Sequence, residues 1–101
     1  MKTLIIHPAD PTTDFLKPIY GNNELLIPDT VINGNMQHIS KSGMKQLIKE
    51  HDRIIMMGHG TPWGLLGYDG YVIDDRFVYL LRQKQAFCLF TYLIDHPNIA
   101  P

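Results

Sequence analysis

The sequence predicts an α/β domain: a three-layer sandwich on a short, mostly parallel sheet with a β-hairpin insertion. Three observations predict it. Two continuous apolar runs have the pattern of strands buried on both faces, Leu4-Ile5-Ile6 closed by His7-Pro8 and Ile54-Ile55-Met56-Met57 closed by Gly58-His59-Gly60. Between them Met44, Leu47, Ile48 and His51 fall at i, i+3, i+4 and i+7, one face of a helix. A second helical stripe and a third apolar run follow, so that strands and helices alternate along the chain.

Taken in order, residues 3–7 form the first strand. Pro8-Ala9-Asp10-Pro11-Thr12 is loop chemistry, with two prolines and an Asp able to close an Asx-turn. Thr12 or Thr13 can cap a short helix through Asp14, Phe15 and Leu16. Pro18 is expected to limit that helix, because a proline in a helix interior loses a hydrogen bond and clashes with the preceding turn. Gly21-Asn22-Asn23 is a stop. Leu25 to Ile27 and Val31-Ile32 are short β-leaning pieces separated by Pro28-Asp29, and Asn33-Gly34-Asn35 turns the chain. Ser40 reads as the N-cap of the central helix, whose first turn Gly43 weakens by up to about 1 kcal/mol relative to alanine.

Residues 53–57 are the second buried strand. Asp69-Gly70 marks a hairpin turn within residues 64–72. Asp74 and Asp75 suit a helix N-terminus and Arg82 and Lys84 its end, with Ile73, Phe77, Leu80 and Leu81 as the apolar stripe. Residues 86–94 are the last strand, broken by Asp95-His96-Pro97-Asn98.

The 101 residues are expected to form a single domain spanning 1–101. A chain of this size buries roughly 65% of the surface that its unfolded form exposes, and a 45% hydrophobic content can fill one modest core. Nine basic and ten acidic side chains give a net charge of −1. That balance excludes the basic face of a general nucleic-acid binder and the polybasic patch of a membrane anchor. A single cysteine cannot form an intramolecular disulfide, so Cys88 is apolar filler, a reactive thiol or half of an intermolecular bridge. The opening apolar run is too short for a signal peptide and no stretch reaches transmembrane length, so a cytoplasmic protein is expected.

The informative segment is Met57-Gly58-His59-Gly60-Thr61. A buried strand ending in Gly-His-Gly places one imidazole at the carboxyl edge of the sheet, where open α/β sheets bind ligands. Histidine suits proton transfer there, and the Gly60 amide can face a developing oxyanion. The bland alternative is a turn histidine bonded to a neighbouring carbonyl.

An apolar strand ending in His-Gly, then a hairpin, a helix and an apolar strand bearing Cys, here Ala86-Phe87-Cys88, resembles the caspase/gingipain-like (clan CD) cysteine peptidases. The resemblance covers the second half of the chain. It implies His59 as the proton-handling group and Cys88 as the nucleophile. It also implies the amides of Gly60 and Cys88 as the oxyanion hole, and a peptide substrate. If residues 86–94 form one strand, Cys88 lies six residues short of its end, about 20 Å from the edge. The pair can form only if that strand stops near Cys88. The alternative is an inactive relative or a non-catalytic domain that self-associates through this last strand, so a homodimer is expected under either reading.

Other chemistries find less support. His7, Asp10 and His59 could gather at one sheet edge, but no close ligand pair such as His-x-x-x-His is present, and neither a metal nor a cofactor is expected. Histidine phosphatases carry Arg-His-Gly, and here Gly58 stands in the arginine's place. No Gly-x-Gly-x-x-Gly follows the first strand and no Gly-x-Ser-x-Gly elbow occurs. Trp63, Tyr68, Tyr71, Phe77 and Tyr79 either line a pocket over His59 or cover the sheet.

Overall fold

The computed structural model describes residues 1–8, 11–21, 27–34, 39–61, 64–67 and 70–91. Strand β1 (Thr3–Pro8) leads through a 3-10 turn, Pro11–Leu16, into the short helix α1 (Lys17–Gly21). Strand β2 (Thr30–Gly34), helix α2 (Lys41–Lys49) and strand β3 (Arg53–Thr61) follow. The hairpin of β4 (Gly64–Gly67) and β5 (Gly70–Ile73) then leads to a second 3-10 turn, Asp75–Phe77, continued by α3 (Val78–Leu81) and β6 (Gln85–Thr91).

Among the described residues the strands form a mixed six-stranded sheet. β1 pairs in parallel with both β2 and β3, and β6 pairs in parallel with β3. The hairpin joins in antiparallel fashion, β4 on the carboxyl end of β3 and β5 on β4.

Every residue of β1 is buried, as its unbroken apolar run requires, and the alternation of a strand divides it between two clusters. Leu4 and Ile6 pack with Ile54 and Met56 of β3, Met44 and Ile48 of α2, and Leu65, Ile73, Phe77 and Leu80. Ile5 packs with Ile55, Met57 and Leu16, with Ile19 and Tyr20 of α1 against them. Full burial of one such aliphatic side chain stabilises by about 1.5–3 kcal/mol. The amino ends of the strands are tied by side chains: the Lys2 amide donates to Asp52 at 2.8 Å and the Thr3 amide to Asp29 at 2.7 Å.

Most expected elements form, with four differences. Pro18 does not limit a helix but stands second in α1, where a missing amide proton costs little. Ile27 is exposed and outside any strand, and residues 25 and 26 lie outside the described residues. His51 lies beyond α2 and caps it: its Nδ1 donates to the Leu47 carbonyl at 2.6 Å, with Nε2 bonded to Thr30 Oγ1 at 2.7 Å. The helix expected over residues 74–84 is one 3-10 turn plus one α-turn; it starts where expected, with Asp74 accepting from the Arg76 amide, and ends at Leu81. The hairpin falls where Asp69-Gly70 places it, although residues 68 and 69 lie outside the described residues.

Candidate functional site

The carboxyl ends of β1 and β3 lie side by side, and each carries a histidine. β3 reaches its edge through Gly58, whose φ of +143° suits glycine alone. A Cβ there would also stand 3.2 Å from Leu65 Cδ1, a tight contact with the end of a flexible side chain, and 3.7 Å from Pro8 Cδ, an ordinary one, so the backbone conformation rather than the space calls for glycine. His59 follows, half-buried, with Nε2 at 2.6 Å from Thr12 Oγ1. His7 is completely buried. Its Nδ1 lies 2.7 Å from the Tyr20 hydroxyl and its Nε2 lies 3.2 Å from Thr13 Oγ1. The Tyr20 ring meets the imidazole edge-on, with centroids 5.7 Å apart.

Two consecutive threonines of the 3-10 turn thus each hold one strand-end histidine. Burial, with the Asp14 carboxylate adding to it, pushes the Tyr20 phenol above its ordinary value, so Tyr20 stays protonated and available to His7. The Asn33 amide donates to the His7 carbonyl at 2.8 Å and links β2 to the same edge.

Cys88 is placed elsewhere. β6 does not stop near it but runs on to Thr91, in a register that sets Cys88 opposite Met56 and Thr91 opposite His59. Three residues of strand, about 10 Å, therefore separate Cys88 from the level of His59. The two also face opposite ways. His59 turns towards the 3-10 turn, whose Leu16 packs with Ile5 and Ile55, whereas register partners in a parallel pair share a face and Met56 packs on the α2 side. The expected Cys88–His59 pair is not assembled in this register.

The two amides expected to form an oxyanion hole are likewise apart. Gly60 pairs with Leu65 of the hairpin, while Cys88 lies at the level of Met56, four residues or about 13 Å back along β3. Cys88 is exposed rather than apolar filler, yet partial desolvation raises its thiol above the ordinary value, which keeps it protonated near neutral pH.

Of the histidine and acid set considered for a metal, Asp10 lies outside the described residues and both ring nitrogens of His7 are hydrogen-bonded. Phe77 belongs to the core and Tyr79 is exposed beside Lys45, so neither lines a pocket over His59; Trp63 and Tyr68 lie outside the described residues. Thr12, Thr13 and Tyr20 were not singled out as histidine partners by sequence. Their only signal was position, directly after a strand that ends in His-Pro.

The chain matches no family model, no curated protein and no solved structure.

Proposed function

We propose that the chain is a clan CD-like α/β domain, a three-layer sandwich with a mostly parallel sheet and a hairpin insertion, that works without a Cys–His peptidase pair. In this reading it is a relative of the cysteine peptidases that lacks their peptidase activity and serves as a cytoplasmic self-association domain. The order β2-β1-β3-β6, with a hairpin between β3 and the helix before β6, supports the kinship. No helix among the described residues is long and apolar enough to cross a membrane.

The observation that carries the reading is β6 itself. It is paired with β3 along one side, its residues 85–89 are all exposed, and Gln85-Ala86-Phe87-Cys88-Leu89-Phe90-Thr91 contains no charge. Among the described residues β6 pairs with β3 alone, and its sequence carries neither the lysine nor the proline that usually blunts an edge strand. With no charge to repel a copy of itself, β6 suits a second chain in antiparallel pairing about a two-fold axis. Phe87 and Leu89, 52% and 40% exposed, would then lie across from the partner's Leu89 and Phe87.

One strand pair buries much less than the ~800 Å² per partner of a standard interface, so dimerisation is expected to be weak, with Kd on the order of 10–100 µM. Sedimentation velocity over that range tests it. The average mass is expected to rise towards twice the monomer in the native chain and to stay at the monomer in Phe87→Lys. A native chain that remains monomeric throughout, or a Phe87→Lys chain that dimerises equally, contradicts the proposal.

A further inference from the structure

The histidine that the resemblance offers to a cysteine is hydrogen-bonded to a hydroxyl instead. We propose that Thr12 and His59 form an acyl-transfer pair that hydrolyses small carboxylic esters at the carboxyl edge of β1 and β3.

The strand order puts this pair at the point where the chain reverses its direction of winding. From β1 it proceeds outward to β2, and from β3 it proceeds the other way to β6, and open α/β sheets bind ligands beyond the carboxyl ends of the strands at such a point. Thr12 comes from the 3-10 turn after β1 and His59 from the end of β3, so the bond between them lies at that point. The separation of 2.6 Å between Oγ1 and Nε2 is that of a nucleophile held by its general base. Thr12 is exposed and His59 only half-buried, so a small substrate can reach the pair from solvent. Among the described residues, the polar side chains that hold this edge, Thr12, Thr13, Tyr20 and Asn33, are neutral, which suits an uncharged acyl ester better than a phosphate ester.

With the imidazole proton on Nδ1, Nε2 accepts the Thr12 proton as Oγ1 attacks the ester carbonyl. Collapse of the adduct breaks the bond to the leaving alcohol, which takes the proton from Nε2, and an acyl-Thr12 ester remains. Water then attacks that ester and gives a proton to Nε2. Thr12 Oγ1 departs with the proton, and the carboxylic acid is released. The sum is ester plus water to acid plus alcohol, with both side chains restored. Cys88 takes no part.

The test is incubation of the full chain with p-nitrophenyl acetate, followed by mass mapping of the acetyl group. An adduct on Thr12 in the native chain is expected, with nitrophenolate released first in a burst of at most one equivalent. The rate is expected to fall about 100-fold or more in Thr12→Val and His59→Ala, to persist in Thr12→Ser and to be unchanged in Cys88→Ser. Acetylation confined to Cys88, the amino terminus or lysines overturns the proposal, as does a Thr12→Val chain that is folded by circular dichroism and reacts at the native rate. Because the adduct is mapped in the native chain, the outcome does not depend on any variant folding.

Discussion

Asp74 shows how much one carboxylate can do at the junction of hairpin and helix. It accepts from the Arg76 amide at 3.0 Å and from the Arg76 guanidinium at 2.6 Å, with Lys41 Nζ 3.7 Å away. The Arg76 hydrogen bonds, opposed by partial desolvation and helped by the two cations, lower its carboxyl to about 2. A depressed carboxylate stabilises the fold above its unfolded value and loses that contribution as pH falls through its folded value. Arg76 is 61% exposed, so screening reduces the effect to about 1 kcal/mol. Urea unfolding of Asp74→Asn is therefore expected to show a deficit of about 1 kcal/mol at pH 7 that shrinks between pH 4 and pH 2. A deficit that is the same at both ends of that window contradicts the assignment.

Gly64 is the stricter residue. Its φ is +142°, and a side chain there would run into the Ile73 carbonyl of the neighbouring strand. Gly64→Ala is expected to cost about 3 kcal/mol or more through combined strain and overpacking, read as a lowered denaturation midpoint.

At the scale of elements, what could be read from sequence was what depends on neighbours along the chain. The apolar runs of β1 and β3, the Ser40 cap of α2 and the Asp69-Gly70 hairpin are local patterns, and all appear where they were expected. The Gly43 amide donates to Ser40 Oγ at 3.0 Å, and Ser40→Ala should cost about 1 kcal/mol of thermal stability. An unchanged melting temperature would show that tertiary packing of Met44 and Ile48 alone holds the helix. Register was not legible. Nothing in Ala86-Phe87-Cys88 tells whether Cys88 or Thr91 will stand level with His59, since an exposed strand that is uncharged and apolar on both faces does not fix its own register. Nor does the sequence reveal that a 3-10 turn folds back so that Thr12 and Thr13 meet two histidines from separate strands. Contacts between residues 47 positions apart depend on the whole sheet. For Pro18 its position relative to the helix start, rather than its presence, decides its effect.

At the scale of the whole molecule, the sheet makes two separate provisions. Its carboxyl edge gathers His7, His59 and their hydroxyl partners, while its margin at β6 offers an uncharged strand. The resemblance to the cysteine peptidases implies a sulfur and an imidazole at one edge; in this chain the sulfur stands opposite Met56 and the imidazole turns to Thr12. The separation of these two groups is the claim on which both proposals depend. Iodoacetamide alkylation of Cys88, followed from pH 5 to pH 10 in the native chain and in His59→Ala, addresses it directly. The account predicts superimposable profiles with a midpoint at or above that of an ordinary thiol, because no imidazole shares its proton. A low midpoint in the native chain that moves upward when His59 is removed would contradict it.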